Sequence, residues 1–343
     1  MSSTDCLPFE RFATKYLLRD HLHAIIYWFF AEVLLLIPLL RFAEGGTWAL
    51  TLQKFGVPAV MAVMSINGNL FFLLYLSKRI RSLSPFIERI TENKTLYQEI
   101  YRHSRVYAAA IIFLVSGYAT FGALGLRANS LTAIIIYGVL LFVLGLGGMS
   151  AGAVMNLWRF FFLLGRQKIK IDVTHSDRMG GLKPIGDLNA ALLYIGAILI
   201  AVYSVGAQFA PYARGDLRKY AYLWVVAALG FFALGIFVPT YTIHQLLQVA
   251  KDEQENHLSK LKAQLLRSFE FTLEETPRAS NSLGDLKNAL ESVKYFETDL
   301  ERMTTWPYEN MWKMLGRVVS IQAVASLIGS WETVTKVVAK LTH

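Results

Sequence analysis

The amino-acid sequence predicts an all-α integral membrane protein, a polytopic helical bundle of six to seven transmembrane helices with a cytoplasmic helical domain. Three observations predict it: six long apolar runs, an alternation of basic residues between the connecting loops, and helical patterns that continue past two of the runs. Of the 343 residues, 54% are hydrophobic and only 17% are charged, which excludes a disordered chain and an ordinary soluble domain.

Each apolar run meets or approaches the length of a membrane crossing. A bilayer core about 30 Å thick requires roughly 20 apolar residues of helix. Because lipid offers no partner for backbone N–H and C=O groups, each run is expected to be helical. The predicted spans are 24–40, 55–76, 106–126, 131–164, 188–210 and 220–243.

The basic residues predict the orientation of the chain. Sixteen Lys and Arg residues lie before the first span and in the loops after the second and fourth, against six in the other loops. By the positive-inside rule, this predicts a multi-pass protein of the cell membrane with a cytoplasmic N-terminus. The net charge of +9 is thus attributed to topology and to anionic lipid, and no nucleic-acid partner is expected. The first residues lack an apolar segment, so the first span is expected to act as the insertion signal.

The sequence divides into three predicted regions. Residues 1–243 form the transmembrane bundle, 244–305 form cytoplasmic helices with a linker at 274–284, and 306–343 form a C-terminal helix. The basic loop after the second span is predicted to be a helix broken at Ser84-Pro85, since proline lacks a backbone donor.

The C-terminal helix allows two interpretations. Its uncharged stretch is 14 residues long, which is short for a full crossing. Its polar residues are spaced four, four and three apart and therefore share one helical face: Gln322, Ser326, Ser330 and Thr333. This helix is either an amphipathic element lying on the bundle or a seventh crossing whose polar stripe lines a water-filled pore, and the spacing leaves both open.

Three polar residues of the first two spans form a candidate ligand or ion cavity. Glu32 is the only acid within an otherwise apolar span, and ionisable groups at that depth usually face a partner or a cavity. Asn67 and Asn69 lie at the middle of the second span, two residues apart, so they cannot share one face. The alternative is a structural acid that pairs with one of these asparagines.

Two further groups are structural candidates. Gly148 and Gly152 form a GxxxG pair, which favours close packing of the fourth span against a neighbouring helix. In the cytoplasmic loop after the fourth span, His175, Asp177 and Arg178 precede a glycine pair, and packing of this loop is favoured over a metal or anion site.

No enzymatic chemistry is predicted. The chain has a single cysteine, which excludes an internal disulfide and a thiolate metal cluster. No arrangement of a catalytic triad, a zinc-binding helix or a phosphate-binding loop is recognisable, so neither a cofactor nor a metal is expected.

In topology the chain resembles the insect odorant and gustatory receptor superfamily. That family has a cytoplasmic N-terminus, seven crossings, an overlong fourth helix and a seventh helix split into two halves. Here 285–302 corresponds to the cytoplasmic half and 311–331 to the membrane half, with Trp306-Pro307 at the break. The resemblance implies a homotetramer whose last half-helices form a cation pore. The family's Thr-Tyr and late Gln are not reproduced, and Ser320 and Gln322 are loose counterparts.

A second resemblance is local and implies no activity. The stretch His175-Ser-Asp-Arg-Met-Gly-Gly-Leu182 and the later Trp306-Pro307-Tyr308 are similar to segments of uncharacterised prokaryotic membrane proteins.

These observations favour an oligomeric, ligand- or signal-gated ion channel, cation-conducting, with the C-terminal helix lining its pore. Its expected partners are the lipid bilayer, a small ligand whose identity the sequence does not reveal, and other copies of itself, in a tetramer as the resemblance implies. The alternatives are a small-molecule or ion transporter that uses Glu32, and a membrane-anchored sensor or scaffold acting through its cytoplasmic helices.

Overall fold

The computed structural model describes residues 22–91, 96–123, 129–167, 177, 179–208, 215–275, 280–303, 305, 313, 316–321 and 323–324. Within these residues the elements are all helical, so the all-α prediction is confirmed there. They are α1 (Leu22–Glu44), α2 (Trp48–Ile90), a 3₁₀ helix (Leu96–Tyr101), α3 (His103–Ala123), α4 (Leu131–Leu164), α5 (Lys183–Gln208), α6 (Gly215–Glu275) and α7 (Ser280–Arg302).

Among the described residues, three helices are long and apolar enough to cross a membrane: Trp48–Ile90, Leu131–Leu164 and Lys183–Val205. The other three predicted spans lie in α1, α3 and α6. Large apolar side chains point away from the bundle, for example Leu35 at 71% and Phe42 at 81% exposure. Water-soluble monomers seldom expose large continuous apolar surfaces, whereas lipid solvates them.

The predicted break at Ser84-Pro85 was wrong, because helix α2 is continuous through both residues. The helix continues to Ile90 with both Pro58 and Pro85 inside it. Its buried positions on either side of Pro85 keep a helical spacing of three and four: Leu76, Ile80, Leu83, Ile87 and Ile90. Burying such side chains is worth about 1.5–3 kcal/mol each, so this packing outweighs the cost of about 3 kcal/mol for one proline.

The predicted linker at 274–284 was also wrong in its bounds. Helix α6 extends to Glu275, and α7 already begins at Ser280. The Ser and Asn residues that indicated a linker instead belong to the first turn of α7. Short polar residues are common both in linkers and at the starts of helices, so their presence does not distinguish the two. Helix α6 is one element of 61 residues that joins the sixth predicted span to the region assigned to the cytoplasm.

The main core lies where α2, α4 and α5 meet, and it extends along α5 from Ile185 to Leu199. Its fully buried side chains include Leu76, Phe161 and Ile185, and Ile243 and Leu247 of α6 complete it. Helices α3 and α4 form an antiparallel pair, and Ser130 caps α4 by accepting a hydrogen bond from the backbone N–H of Ala133 at 3.1 Å.

Candidate functional site

Glu32 of α1 is paired with Asn67 of α2. The side-chain nitrogen of Asn67 donates to Glu32 Oε2 at 2.7 Å and to the Val63 carbonyl at 3.0 Å. The acid therefore has the kind of partner that the alternative interpretation required. A role of this pair in binding a ligand or an ion stays a prediction.

Asn69 faces a different neighbour, as its two-residue offset from Asn67 requires. Its side-chain nitrogen donates to the Tyr203 hydroxyl of α5 at 2.7 Å and to the Ser65 carbonyl at 2.8 Å. Ser150 of α4 donates to Asn69 Oδ1 at 2.8 Å. One buried amide thus links α2, α4 and α5, and Glu32, Asn67 and Asn69 do not form a single cluster.

Gly148 and Gly152 lie directly against α3. A methyl group placed at Gly148 would come within 2.7 Å of Ala110 Cα, and one at Gly152 within 2.7 Å of Val106 Cα. Such contacts are shorter than van der Waals distances and involve backbone atoms, so only glycine allows this approach of α4 to α3.

Asp177 organises the turn before α5. Its carboxylate accepts hydrogen bonds from the backbone N–H groups of Met179 at 2.9 Å, Gly181 at 3.0 Å and Lys183 at 3.3 Å. Gly180 and Gly181 have backbone φ values of 60° and 83°, which residues with a Cβ atom rarely adopt. The carboxylate therefore stabilises the N-terminus of α5, and the Asp-x-x-Gly-Gly pattern has a structural explanation. His175 and Arg178 lie outside the described residues.

A cluster of three arginines surrounds Glu99 in the 3₁₀ helix. Arg102 Nη1 lies 3.2 Å from Glu99 Oε1, while Arg105 Nη1 and Arg159 Nε lie 3.1 and 3.2 Å from Oε2. Desolvation by burial, taken by itself, raises the pKa of Glu99. The hydrogen bond from Arg105 and the positive charges of the three arginines lower this pKa, and their combined effect is larger. The pKa of Glu99 therefore lies below its ordinary value, and the carboxylate is ionised at neutral pH.

Asn156 of α4 fixes the backbone beneath this cluster. It is completely buried, and its side-chain nitrogen donates to the carbonyls of Ile100 at 3.2 Å and Arg102 at 3.0 Å. Arg105 Nη1 in turn donates to Asn156 Oδ1 at 3.4 Å. The amide thus joins α4 to the connection between the 3₁₀ helix and α3.

All four predicted pore-lining residues, Gln322, Ser326, Ser330 and Thr333, lie outside the described residues. The segment just before them, 316–321, is helical. Within it Val318 is buried against Leu193 and Ala197 of α5. Upstream, Met303 belongs to the main core, and the Thr305 carbonyl lies 3.0 Å from His244 Nδ1 of α6.

The sequence interpretation missed Glu99, Asn156, Arg159 and Tyr203. Asn156 was detectable, because it is a lone amide in an otherwise apolar stretch of α4. Glu99 had a local signal too, with arginines three and six residues after it. Arg159 and Tyr203 gave no such signal, since their partners lie 60 and 134 residues away.

The described residues contain no group of three or more His, Cys, Asp or Glu side chains that would hold a metal ion. No protein-family model, curated protein or solved structure matches the chain.

Proposed function

We propose that this protein is an oligomeric, ligand- or signal-gated ion channel that conducts cations through a pore lined by its C-terminal helix. The observation that carries the proposal is the contact of Val318 with Leu193 and Ala197 of α5. It bears directly on whether the terminal helix enters the membrane or lies flat on its surface.

The position of this contact along α5 supports entry into the membrane. The Thr305 carbonyl lies 3.0 Å from His244 Nδ1 of α6, and Thr240, one turn earlier in α6, accepts a hydrogen bond from Asn189 of α5 at 3.2 Å. Because consecutive membrane spans run antiparallel, Thr305 lies near the level of Ile185 in the first turn of α5. Leu193 and Ala197 lie eight and twelve residues further along, which corresponds to about 12–18 Å of helix. The chain from Thr305 to Val318 therefore advances along α5 by roughly half of a hydrocarbon core about 30 Å thick. A helix lying flat would contact only the helix ends.

The polar stripe is compatible with this packing. On a regular helix Gln322 and Ser326 lie about 40° and 80° around the axis from Val318. The stripe would then begin beside the α5 contact and turn away from it. Sister subunits are the natural partners of such a face, because a polar stripe facing lipid is costly.

The described polar groups within the spans favour a channel over a transporter centred on Glu32. Glu32 bonds Asn67, and Asn69 bonds Tyr203 and Ser150, so these groups already satisfy one another inside one bundle. An ion path between subunits leaves these pairs intact, whereas a transport site at Glu32 has to open its pair in every cycle.

A membrane-anchored scaffold is the second candidate, and the pair formed by α6 and α7 favours it. Lys262 bonds both carboxylate oxygens of Glu297 at 2.8 and 2.9 Å, which holds the two helices together. Large apolar side chains of this pair remain exposed: Leu261, Leu266, Tyr295 and Phe296. They suit a contact with a partner protein, which is what a scaffold requires.

Single-channel recording from the purified chain in planar bilayers tests the proposal. We expect unitary currents, and we expect Ser326→Trp to reduce their amplitude because it fills the predicted pore. Val324→Trp is the matched control, because Val324 is exposed and lies on the face opposite Gln322.

Two outcomes contradict the channel. One is an unchanged conductance in a folded Ser326→Trp protein. The other is a tag after His343 that is labelled only in permeabilised cells, since a seventh crossing places that end outside. Absence of current from an intact oligomer favours the scaffold.

A further inference from the structure

We propose that the Arg102–Arg105–Arg159 cluster around Glu99 is a binding site for a phosphate group, supplied by the headgroup of an anionic phospholipid. This inference rests on the membrane residence of the chain, which is part of the proposed function, but it does not depend on ion conduction.

The cluster has more positive charge and more donors than its own acid can satisfy. Three guanidinium groups contact one carboxylate, so the group carries a net charge of +2. Each guanidinium has five N–H donors, whereas a carboxylate accepts about four hydrogen bonds. Most of the fifteen donors therefore remain for another acceptor. The planar fork of arginine suits phosphate oxygens in particular.

The donors are held in place before any ligand arrives. Glu99 bridges all three arginines, and the buried Asn156 fixes the carbonyls of Ile100 and Arg102. Arg105 is further held by Asn156 Oδ1. Ordering flexible side chains on binding opposes affinity, and these arginines are already ordered by their contacts within the fold. Arg102 and Arg159 keep 53% and 52% of their side chains exposed, so a ligand can reach them.

The position along α4 matches the headgroup layer. Leu131 begins α4, and Arg159 lies 28 residues later, about 42 Å along the helix. A bilayer with its headgroups is about 40–45 Å thick. With Leu131 at one surface, Arg159 therefore reaches the opposite headgroup layer. Arg102 and Arg105 flank the start of α3, which enters the membrane at the same level as α4 leaves it.

Native mass spectrometry of the full chain, released from detergent with defined lipids, tests the site. The probes are phosphatidylglycerol, zwitterionic phosphatidylcholine and inorganic phosphate. We expect phosphatidylglycerol to be retained in preference to phosphatidylcholine. We expect Arg159→Gln or Arg102→Gln to lower that preference about fivefold each, as loss of one surface cation predicts.

Arg166→Gln is the matched control. Arg166 lies seven residues after Arg159, just past the end of α4 at Leu164, and its guanidinium stacks on Phe162 at 4.2 Å, outside the cluster. The Arg166→Gln substitution removes the same charge as Arg159→Gln and is expected to leave the lipid preference nearly unchanged. The melting temperature of each variant separates loss of the site from loss of the fold.

Each outcome has a defined meaning. A preference for phosphatidylglycerol that falls in the cluster variants alone supports the lipid headgroup. Tight binding of inorganic phosphate with the same sensitivity retains the phosphate site and overturns its lipid source. Equal effects of Arg159→Gln and Arg166→Gln, or no preference in the unmodified chain, overturn the site altogether. Ion currents without a lipid preference would overturn this inference and support the proposed channel. A lipid preference without ion currents would support this inference and contradict the channel.

Discussion

Asn156 is the single side chain on which the junction between α4 and the 3₁₀ helix most depends. It is completely buried and donates to two backbone carbonyls. In Asn156→Ala both carbonyls lose their donor, and an unsatisfied buried polar group costs about 1–3 kcal/mol. We expect a clearly lower melting temperature in detergent. Asn288→Ala on the exposed face of α7 is the control, with an expected change within about 0.5 kcal/mol. Equal melting temperatures of the two variants would contradict this role.

Glu99 makes the stability of the bundle depend on pH. Its pKa is lowered in the folded protein relative to the unfolded value of about 4.3, so its stabilising contribution is complete above that pH. The contribution disappears as the pH falls through the folded pKa. We expect Glu99→Gln to lower the melting temperature at neutral pH, and the difference from the unmodified chain to shrink below about pH 4.

A pH series of melting temperatures in uncharged detergent measures this difference. Glu291→Gln is the control, because Glu291 is an exposed carboxylate of α7 with one cation 4.0 Å away. A constant difference between the unmodified chain and Glu99→Gln down to pH 3 would exclude a titrating role for Glu99.

At the scale of single elements, the pairing of α3 with α4 depends on glycines at defined positions. A Cβ at Gly148 meets Ala110 Cα at 2.7 Å and the Ala109 carbonyl at 2.8 Å, so Gly148→Ala forces the helices apart. Overpacking of this kind costs about 1–3 kcal/mol. In the same helix a Cβ at Gly138 meets nothing within 4 Å, and Gly138→Ala is expected to stabilise α4 by up to about 1 kcal/mol. Thermal unfolding of the two variants compares them, and a Gly148→Ala protein as stable as Gly138→Ala would refute the close approach.

Some features of the helices follow from residues that are close in sequence, whereas others depend on packing against distant helices. The helix patterns, the cap at Ser130 and the close-packing glycines follow from neighbouring residues and were predictable. The passage of α2 through Pro85 was not, because the packing of Leu83 and Ile87 against other helices outweighs a local penalty. The start of α7 at Ser280 was not predictable from local sequence either, because short polar residues are common both in linkers and at the starts of helices.

At the scale of the whole molecule, equally exposed apolar side chains are expected to face lipid in the membrane spans and water in the cytoplasmic helices. Phe142 of α4 is 51% exposed and Phe296 of α7 is 45% exposed. Phe142 lies about 16 Å into α4, near the centre of the bilayer. Phe142→Lys is therefore expected to impair membrane insertion by about 2.5–3.5 kcal/mol, whereas Phe296→Lys is expected to leave insertion unchanged. A glycosylation-based insertion assay measures both, and equal insertion of the two variants would contradict the membrane assignment of α4.

The sequence by itself determined that this chain is helical, that its apolar runs match a bilayer, and that Glu32 and the asparagines of α2 need partners. These conclusions depend on composition, periodicity and charge, which act over a few residues or are summed over the chain. Only the tertiary structure decided which partners those are. Glu32 pairs with Asn67, Asn69 with Tyr203, and Glu99 with Arg159. Such contacts join helices distant in sequence, and the packing that brings those helices together leaves no local pattern from which the pairing follows.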